Sequence, residues 1–275
     1  MHTGCTFRYS HCQMAFEKEL HFAKVAAQQA AANALRIQRS GVTAESKADA
    51  SPVTIADKEG ERIIAGILSR EFPDDGILGE EGSATQSQSG RRWIIDPIDG
   101  TRDFVRGNIL WCVLIGLEGA DGEVKAGVAH FPVLQQTWYA ARGLGAYCND
   151  SRIQPSNKEA IGDSVLMLNV GNKIAHREDS SAWVSFLGRF WAFRCLGGAL
   201  DAMMVSGGQA DVWMEPKAEA WDFAPIQVIA EEAGARFFSF NGNRTIWEHS
   251  AVVCAPALEG PVKQFLGSLS VATQL

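Results

Sequence analysis

The sequence predicts an α/β protein built as two unlike halves, and three observations carry that reading. Two segments of helical periodicity open the chain. Strand-like apolar runs then follow one another between residues 92 and 147, and from residue 150 onward short strands and helices alternate. The first half is therefore expected to be α+β, with an antiparallel sheet packed against two helices, and the second half α/β. The corresponding division is an extension over residues 1–13 expected to be disordered, an α+β half over 14–149, and an α/β half over 150–275.

From Met14 to Arg39, Leu20, Ala23, Ala27 and Ala30 recur at helical spacing, and Ser40-Gly41 stops the helix. Thr54-Ile-Ala-Asp57 has the form of a capping box opening a second helix. Ile63, Ile64, Ile67 and Leu68 supply its apolar face, and Phe72-Pro73 closes it. Trp93-Ile-Ile95 reads as a short buried strand that turns at Asp96. Trp111–Leu117 and Val124–Phe131 flank Asp121-Gly122 as a hairpin, and Thr137–Ala141 extends the meander. Beyond Asn149, strands are expected at 164–170, 191–195 and 210–214, with helices at 181–190, 199–206 and 224–233. Phe237-Phe238 and Ala251–Ala255 close the chain as strands.

With 275 residues, 46% hydrophobic and 21% charged, the composition is that of a globular protein with ample core. The formal net charge of −7 excludes a nucleic-acid reader that works through overall basicity. The longest apolar run, Ile109–Leu117, is strand-sized, so no membrane span is expected, and residues 1–13 do not read as a signal peptide. Six Cys without a C-x-x-C pair fit reduced thiols in a cytoplasmic protein.

The nucleophile elbow, the phosphate-binding P-loop and the zincin helix are absent, and Gly143-Leu-Gly145 fails as a dinucleotide fingerprint because position 148 is Cys. The carboxylates are more informative. Asp96-Pro-Ile-Asp99-Gly-Thr101 puts two hard oxygen ligands three residues apart, stiffened by Pro97, which suits Mg²⁺. Gly100 allows close backbone approach, and Thr101 offers a hydroxyl and an N–H at a helix start. Helix capping accounts for the same spacing equally well. Glu80-Glu81 in a loop after Ile77-Leu78, and Asp222 as an N-cap of the helix at 224, each have a structural explanation when taken alone.

Taken together, these residues resemble the inositol monophosphatase family of metal-dependent, lithium-sensitive phosphatases. Asp96–Phe104 resembles its first signature, and Trp221–Gly234, with Trp-Asp-x-Ala followed by Glu-Ala-Gly, resembles its second. Gly79-Glu80-Glu81, Ser51–Asp57 and Gly143–Asn149 match further family segments, the last as a loop. The likeness covers about residues 14–266 in the right order.

The resemblance implies a layered αβαβα sandwich of the sugar-phosphatase type and two or three Mg²⁺ ions. Glu80, Asp96 and the Ile98 carbonyl would hold one ion, and Asp96, Asp99 and Asp222 a second, with a weaker third near Glu80. Thr101 and Asp57 would orient the attacking water, so Glu80, Thr101 and Asp57 carry catalysis, while the N–H groups of Gly100 and Thr101 hold the phosphate. Asp99, Arg194, Gly197, Ala199 and Glu215 would contact the substrate, and Lys47 would lie near the third ion. The implied partner is a small phosphate monoester, with a homodimer as the assembly and neither nucleic acid nor membrane involved.

Asp103 stands where many inositol phosphatases carry Asn, with Arg106 able to offset it, and Gly234-Ala235 replaces Gly-Gly. The Ala48–Thr54 segment and Phe104-Val-Arg-Gly107 resemble the histidinol-phosphatase branch, which points to a polyol or amino-alcohol phosphate. Alternatives are a nucleotide 3′-phosphatase, a sugar-bisphosphatase, or a non-catalytic partner of the transcription machinery.

Overall fold

The computed structural model describes residues 16–41, 44–46, 52–168 and 174–269. The expected N-terminal extension, Cys5, Cys12, Lys47 and the end of the strand expected at 164–170 lie outside these residues.

Helix α1 (Glu17–Arg39) turns its alanine stripe inward, with Ala23, Ala26, Ala27, Ala30, Ala31 and Ala34 all buried. The two-residue strands β1 (Glu45–Ser46) and β2 (Pro52–Val53) pair before α2 (Ile55–Glu71). Thr54 caps α2 with the expected box: its hydroxyl accepts from Ala56 N, and Asp57 accepts from Thr54 N at 2.8 Å.

An eight-stranded sheet follows, built from β3 (Gly76–Gly79), β4 (Ala84–Thr85), β5 (Arg92–Asp99), β6 (Cys112–Glu118), β7 (Val124–Phe131), β8 (Gln136–Ala141), β9 (Gly145–Cys148) and β10 (Ser151–Arg152). Its order is β10-β9-β8-β7-β6-β5-β3-β4, with the short helix α3 (Thr101–Val105) after β5. The sheet is antiparallel as expected except that β3 runs parallel to β5. The segment expected as a Gly143–Asn149 loop contains strand β9, because Gly143 and Gly145 take positive φ and turn Ala146–Cys148 back along β8.

The second sheet contains β11 (Val165–Leu168), β12 (Ala192–Arg194), β13 (Val212–Glu215), β14 (Arg236–Phe238) and β15 (Ala251–Cys254), in the order β12-β11-β13-β15-β14. Its β12-β11-β13 side is parallel and its β15-β14 side antiparallel. Between its strands lie α4 (Ser180–Leu187), α5 (Gly198–Ser206) and α6 (Ala220–Ala233), and α7 (Glu259–Ser268) follows the last strand. The sequence patterns did not anticipate α7. Helix α6 begins at Ala220, four residues before the expected start, since Glu219 and Asp222 form its capping box.

Three cores describe the layers. One joins α1 and α2 to the large sheet, through Ala27, Leu68, Trp93 and Ile115. A second seats α5 and α6 between both sheets, through Leu114, Met203, Phe223 and Val253. The third packs α4 and α7 on the outer face of the small sheet, through Trp183, Phe186, Val252 and Phe265. The result is the five-layered αβαβα sandwich. Among the described residues no helix is long and apolar enough to cross a membrane, and Cys112, Cys148 and Cys254 are free thiols.

Glycines set the spacing of α6 on the large sheet. A Cβ at Gly116 would come within 2.6 Å of Ala224 Cβ, and one at Gly127 within 2.7 Å of Pro225 Cα. Because that contact is with helix backbone, it cannot be relieved by rotating a side chain. Gly127→Val is therefore expected to lower the urea midpoint, costing about 1–3 kcal/mol. Gly66→Ala, on the open face of α2 with nothing within 4 Å, is expected to raise stability by about 0.5–1 kcal/mol. Equal midpoints for the two variants would contradict the glycine-saddle account.

Candidate metal and phosphate site

Strand β5 does not turn at Asp96 but runs on through Asp99, with a change of register. Asp96 lies opposite Leu114 and Asp99 opposite Cys112, so three residue steps on β5 face two on β6. In a regular strand, residues three apart point to opposite faces. One extra residue restores them to the same face. Pro97, which has no N–H to place in a ladder, occupies the bulge. On the helix side, Gly60 of α2 makes room for it, a Cβ there lying 3.2 Å from Pro97 Cβ.

The carboxylates of Asp96, Asp99 and Asp222 converge, with ligand oxygens all within 4.8 Å of one another. Asp222 arrives on the first turn of α6, as the third residue of the helix and the partner of Glu219 in the capping box, not as the N-cap. Glu80, in the turn after β3, shares a hydrogen bond with Asp96 and adds its charge to Asp222 as well.

Each of the three aspartates has one oxygen held by the protein. Ile98 N donates to Asp96 Oδ1 at 2.9 Å. Glu219 N donates to Asp222 Oδ2 at 2.7 Å. Ala199 N donates to Asp99 Oδ2 at 2.8 Å, joined by the Cys112 thiol at 3.6 Å.

Burial, followed by the charges of Glu80, Asp222 and Asp99, pushes the Asp96 carboxyl well above the usual range. Burial and Asp99 do the same to Asp222. Asp99 is raised by burial but less so, since the Ala199 N–H and the Cys112 thiol favour its charged form. Burial and mutual repulsion thus favour the protonated form of these carboxyls unless a cation offsets their charge. The donor set is wholly oxygen, and the Ile98 carbonyl lies at the same bend. This is the donor chemistry of a hard divalent cation such as Mg²⁺.

Thr101 opens α3 just after Gly100, whose φ of 86° is a left-handed conformation that favours glycine. The Thr101 hydroxyl lies 3.2 Å from both Asp57 Oδ1 and the Ile98 carbonyl. Asp57 is buried, and desolvation raises it to about 6 against the opposing hydrogen bonds from Thr54.

On the opposite side, Gly197 and Gly198 lead into α5. A Cβ at Gly198 would lie 2.6 Å from Asp99 Oδ2, and its φ is +61°, so the turn is shaped around that carboxylate. Glu215, buried at the end of β13, accepts from Lys217 N at 3.0 Å and acts electrostatically on Asp222. Arg194 is the exception. It is exposed on edge strand β12 and donates to the Phe193 carbonyl, away from the carboxylates.

Sequence reasoning missed three residues at this site. Glu61 accepts from Glu81 N and Ser83 N, both at 2.7 Å. It lies one helical turn after Asp57, and that spacing was the available signal. Asp201 accepts from Gly197 N at 3.1 Å, while its buried Oδ1 has no hydrogen-bond partner among the described residues. Cys112 carried no signal, because a cysteine in an apolar strand reads as core.

The family model described as the inositol monophosphatase family matches residues 17–269. A histidinol-phosphatase of Chlorobaculum parvum is 37% identical over 215 residues, 76% of this chain and 81% of the relative. A histidinol-phosphatase of Mycobacterium tuberculosis is 35% identical over 203 residues, 72% of this chain and 78% of the relative. The solved inositol monophosphatase of Thermotoga maritima superposes with a TM-score of 0.83 at 28% identity, covering 91% of this chain and 97% of that one.

Burial, partly offset by backbone N–H groups of Gly197 and Leu196, raises Asp201 to about 6 from an ordinary 3.8. A carboxyl raised on folding contributes stability that is present below its unfolded value and lost as pH rises through its folded value. In the presence of chelator, Asp201→Asn is therefore expected to raise the melting temperature by about 2–4 °C at pH 7.5 and not at pH 4. An equal shift at both pH values would remove the role assigned to its ionisation.

Proposed function

The chain belongs to the inositol monophosphatase family, and from that premise we propose that it is a Mg²⁺-dependent phosphatase of small polyol or amino-alcohol monophosphates, with histidinol phosphate and inositol 1-phosphate as the leading substrates. It is a phosphoric monoester hydrolase, and the convergence of Asp96, Asp99 and Asp222 is the observation that carries the metal-dependent reading. The histidinol branch is favoured by the names of the relatives and by the Phe104–Gly107 run.

In this reading Glu80, Asp96 and the Ile98 carbonyl would hold one ion, and Asp96, Asp99 and Asp222 would hold another. When bound, the ions supply water activation and offset the charge on the attacking and leaving oxygens of an in-line displacement. The chain's own groups do the positioning. Thr101, with its hydroxyl between Asp57 and the Ile98 carbonyl, orients the water and passes its proton toward Asp57. The N–H groups of Gly100 and Thr101 receive the phosphoryl oxygens. Glu215, Asp99 and the Gly197–Ala199 turn take the hydroxyl or amine of the leaving group. Exposed Val184, Trp191, Phe193 and Leu196, around edge strand β12, support a homodimer.

Purified protein is expected to release phosphate from histidinol phosphate or inositol 1-phosphate with Mg²⁺ and not with chelator. Li⁺ is expected to inhibit this release. Asp222→Asn should lower kcat/KM on the order of 10²- to 10³-fold. Activity should fall toward acid pH, since protons compete for the ligand carboxylates. No release from either substrate, or from a wider panel of phosphate monoesters with Mg²⁺ present, would overturn the proposal.

A further inference from the structure

Helix α2 carries two buried carboxylates one turn apart on the same face, Asp57 and Glu61. Asp57 serves Thr101, whereas Glu61 meets the turn that follows β3. One Glu61 oxygen accepts from Glu81 N and the other from Ser83 N, both at 2.7 Å. The turn closes on itself through Gly79 N donating to the Ser83 carbonyl at 2.8 Å. It is tied to β5 by Glu80 N donating to the Ile95 carbonyl at 3.1 Å, one residue from Asp96. A Cβ at Gly79 would collide with the Glu61 carboxylate. The turn is thus wrapped around a buried anion, and Glu80 lies between its anchors with its carboxyl against Asp96.

We propose that Glu61 is the positioning residue for Glu80: it fixes the 79–83 turn so that the Glu80 carboxylate reaches the cleft, and does so for that ligand alone. The inference rests on the metal-site reading above and adds to it a residue that touches neither ion nor substrate. The chemistry requires a carboxylate. Two convergent N–H donors need two acceptor oxygens, and Gln would turn an NH₂ toward one of them. The selectivity comes from independent supports, because Asp222 is held by the cap of α6 and Asp99 by Ala199 N. Neither support passes through the 79–83 turn.

The test is calorimetric titration of the full chain, stripped of metal by chelator, with Mn²⁺ alone. Glu80→Gln and Asp222→Asn serve as references that each weaken a different part of the isotherm. Glu61→Gln is expected to reproduce the Glu80→Gln isotherm, with affinity there reduced about 10- to 100-fold, and to retain the part lost in Asp222→Asn. Its phosphatase activity should then recover at high Mg²⁺, so that the metal requirement moves while kcat does not. A folded Glu61→Gln with the wild-type isotherm, or one that weakens both parts equally, would overturn the proposal. If Glu61→Gln does not fold, Gly79→Ala presses on the same carboxylate from the other side, and the same outcomes decide. A wild-type protein that takes up no Mn²⁺ would overturn the metal-site reading itself, and this inference with it.

Discussion

Mutual repulsion among the carboxylates gathered in one cleft is the constraint on which the rest of the molecule depends. Two unit charges about 4 Å apart interact by about 4 kcal/mol at an effective dielectric of 20. Asp96, Asp99 and Asp222 place their oxygens within 4.8 Å of one another, and Glu80 adds a fourth carboxyl beside Asp96. Several such pairs would consume most of the roughly 5–15 kcal/mol by which a domain is stable. The cluster can persist only with protons or cations in it. The upward shifts of Asp96 and Asp222 express the first condition, and the all-oxygen donor set is ready for the second.

That constraint explains why the clustered carboxylates come from separate, rigid elements. Asp96 and Asp99 are on a bulged strand, Asp222 is on the first turn of a buried helix, and Glu80 is on a turn clamped by α2. Carboxylates on mobile loops would simply move apart. Here the backbone prevents this through two means. Local N–H donors hold one oxygen of each aspartate, and close packing fixes the elements themselves. Gly60 lets α2 approach Pro97, and Gly116 and Gly127 let α6 settle on the sheet. Small residues thus set the position of the charged ones.

Much of this was legible in the sequence, and several of the parts that were not depend on contacts distant in the chain. The capping box at Thr54 and the alanine stripe of α1 are local patterns, and they appear as expected. Asp96, Asp99 and Asp222 were identifiable because two signatures occur in the right order, although periodicity alone favoured a cap at Asp222 and a turn at Asp96. The two local readings were incomplete for different reasons, one tertiary and one local. The bulge that keeps β5 going depends on pairing with β6, and the early start of α6 depends on Glu219 completing a reciprocal cap. Glu61 and Cys112 escaped notice because each acts on backbone or carboxylate distant in sequence, whereas Asp201 acts on the nearby Gly197 N–H in a turn that has no regular periodicity. Nothing near Cys112 in the chain announces Asp99 as its cross-strand neighbour.

The net charge of −7 takes on a different meaning in this light. A protein could neutralise such a cleft with its own arginine, as it does elsewhere. Arg91 pairs with Asp75 and Glu19, Arg92 with Glu118, and Arg142 and Arg244 with Glu231. Among the described residues, Asp96, Asp99 and Asp222 have no Lys or Arg partner. An arginine there would settle the electrostatics permanently and fill the space a phosphoryl group needs. Leaving the carboxylates without an internal cation makes the cleft dependent on external ones, and two divalent ions would bring the formal charge from −7 to about −3. A phosphate monoester entering that cleft would then meet positive charge in a protein that is acidic overall. On the function proposed above, the acidity that argues against binding an anion is what would prepare the site to bind one.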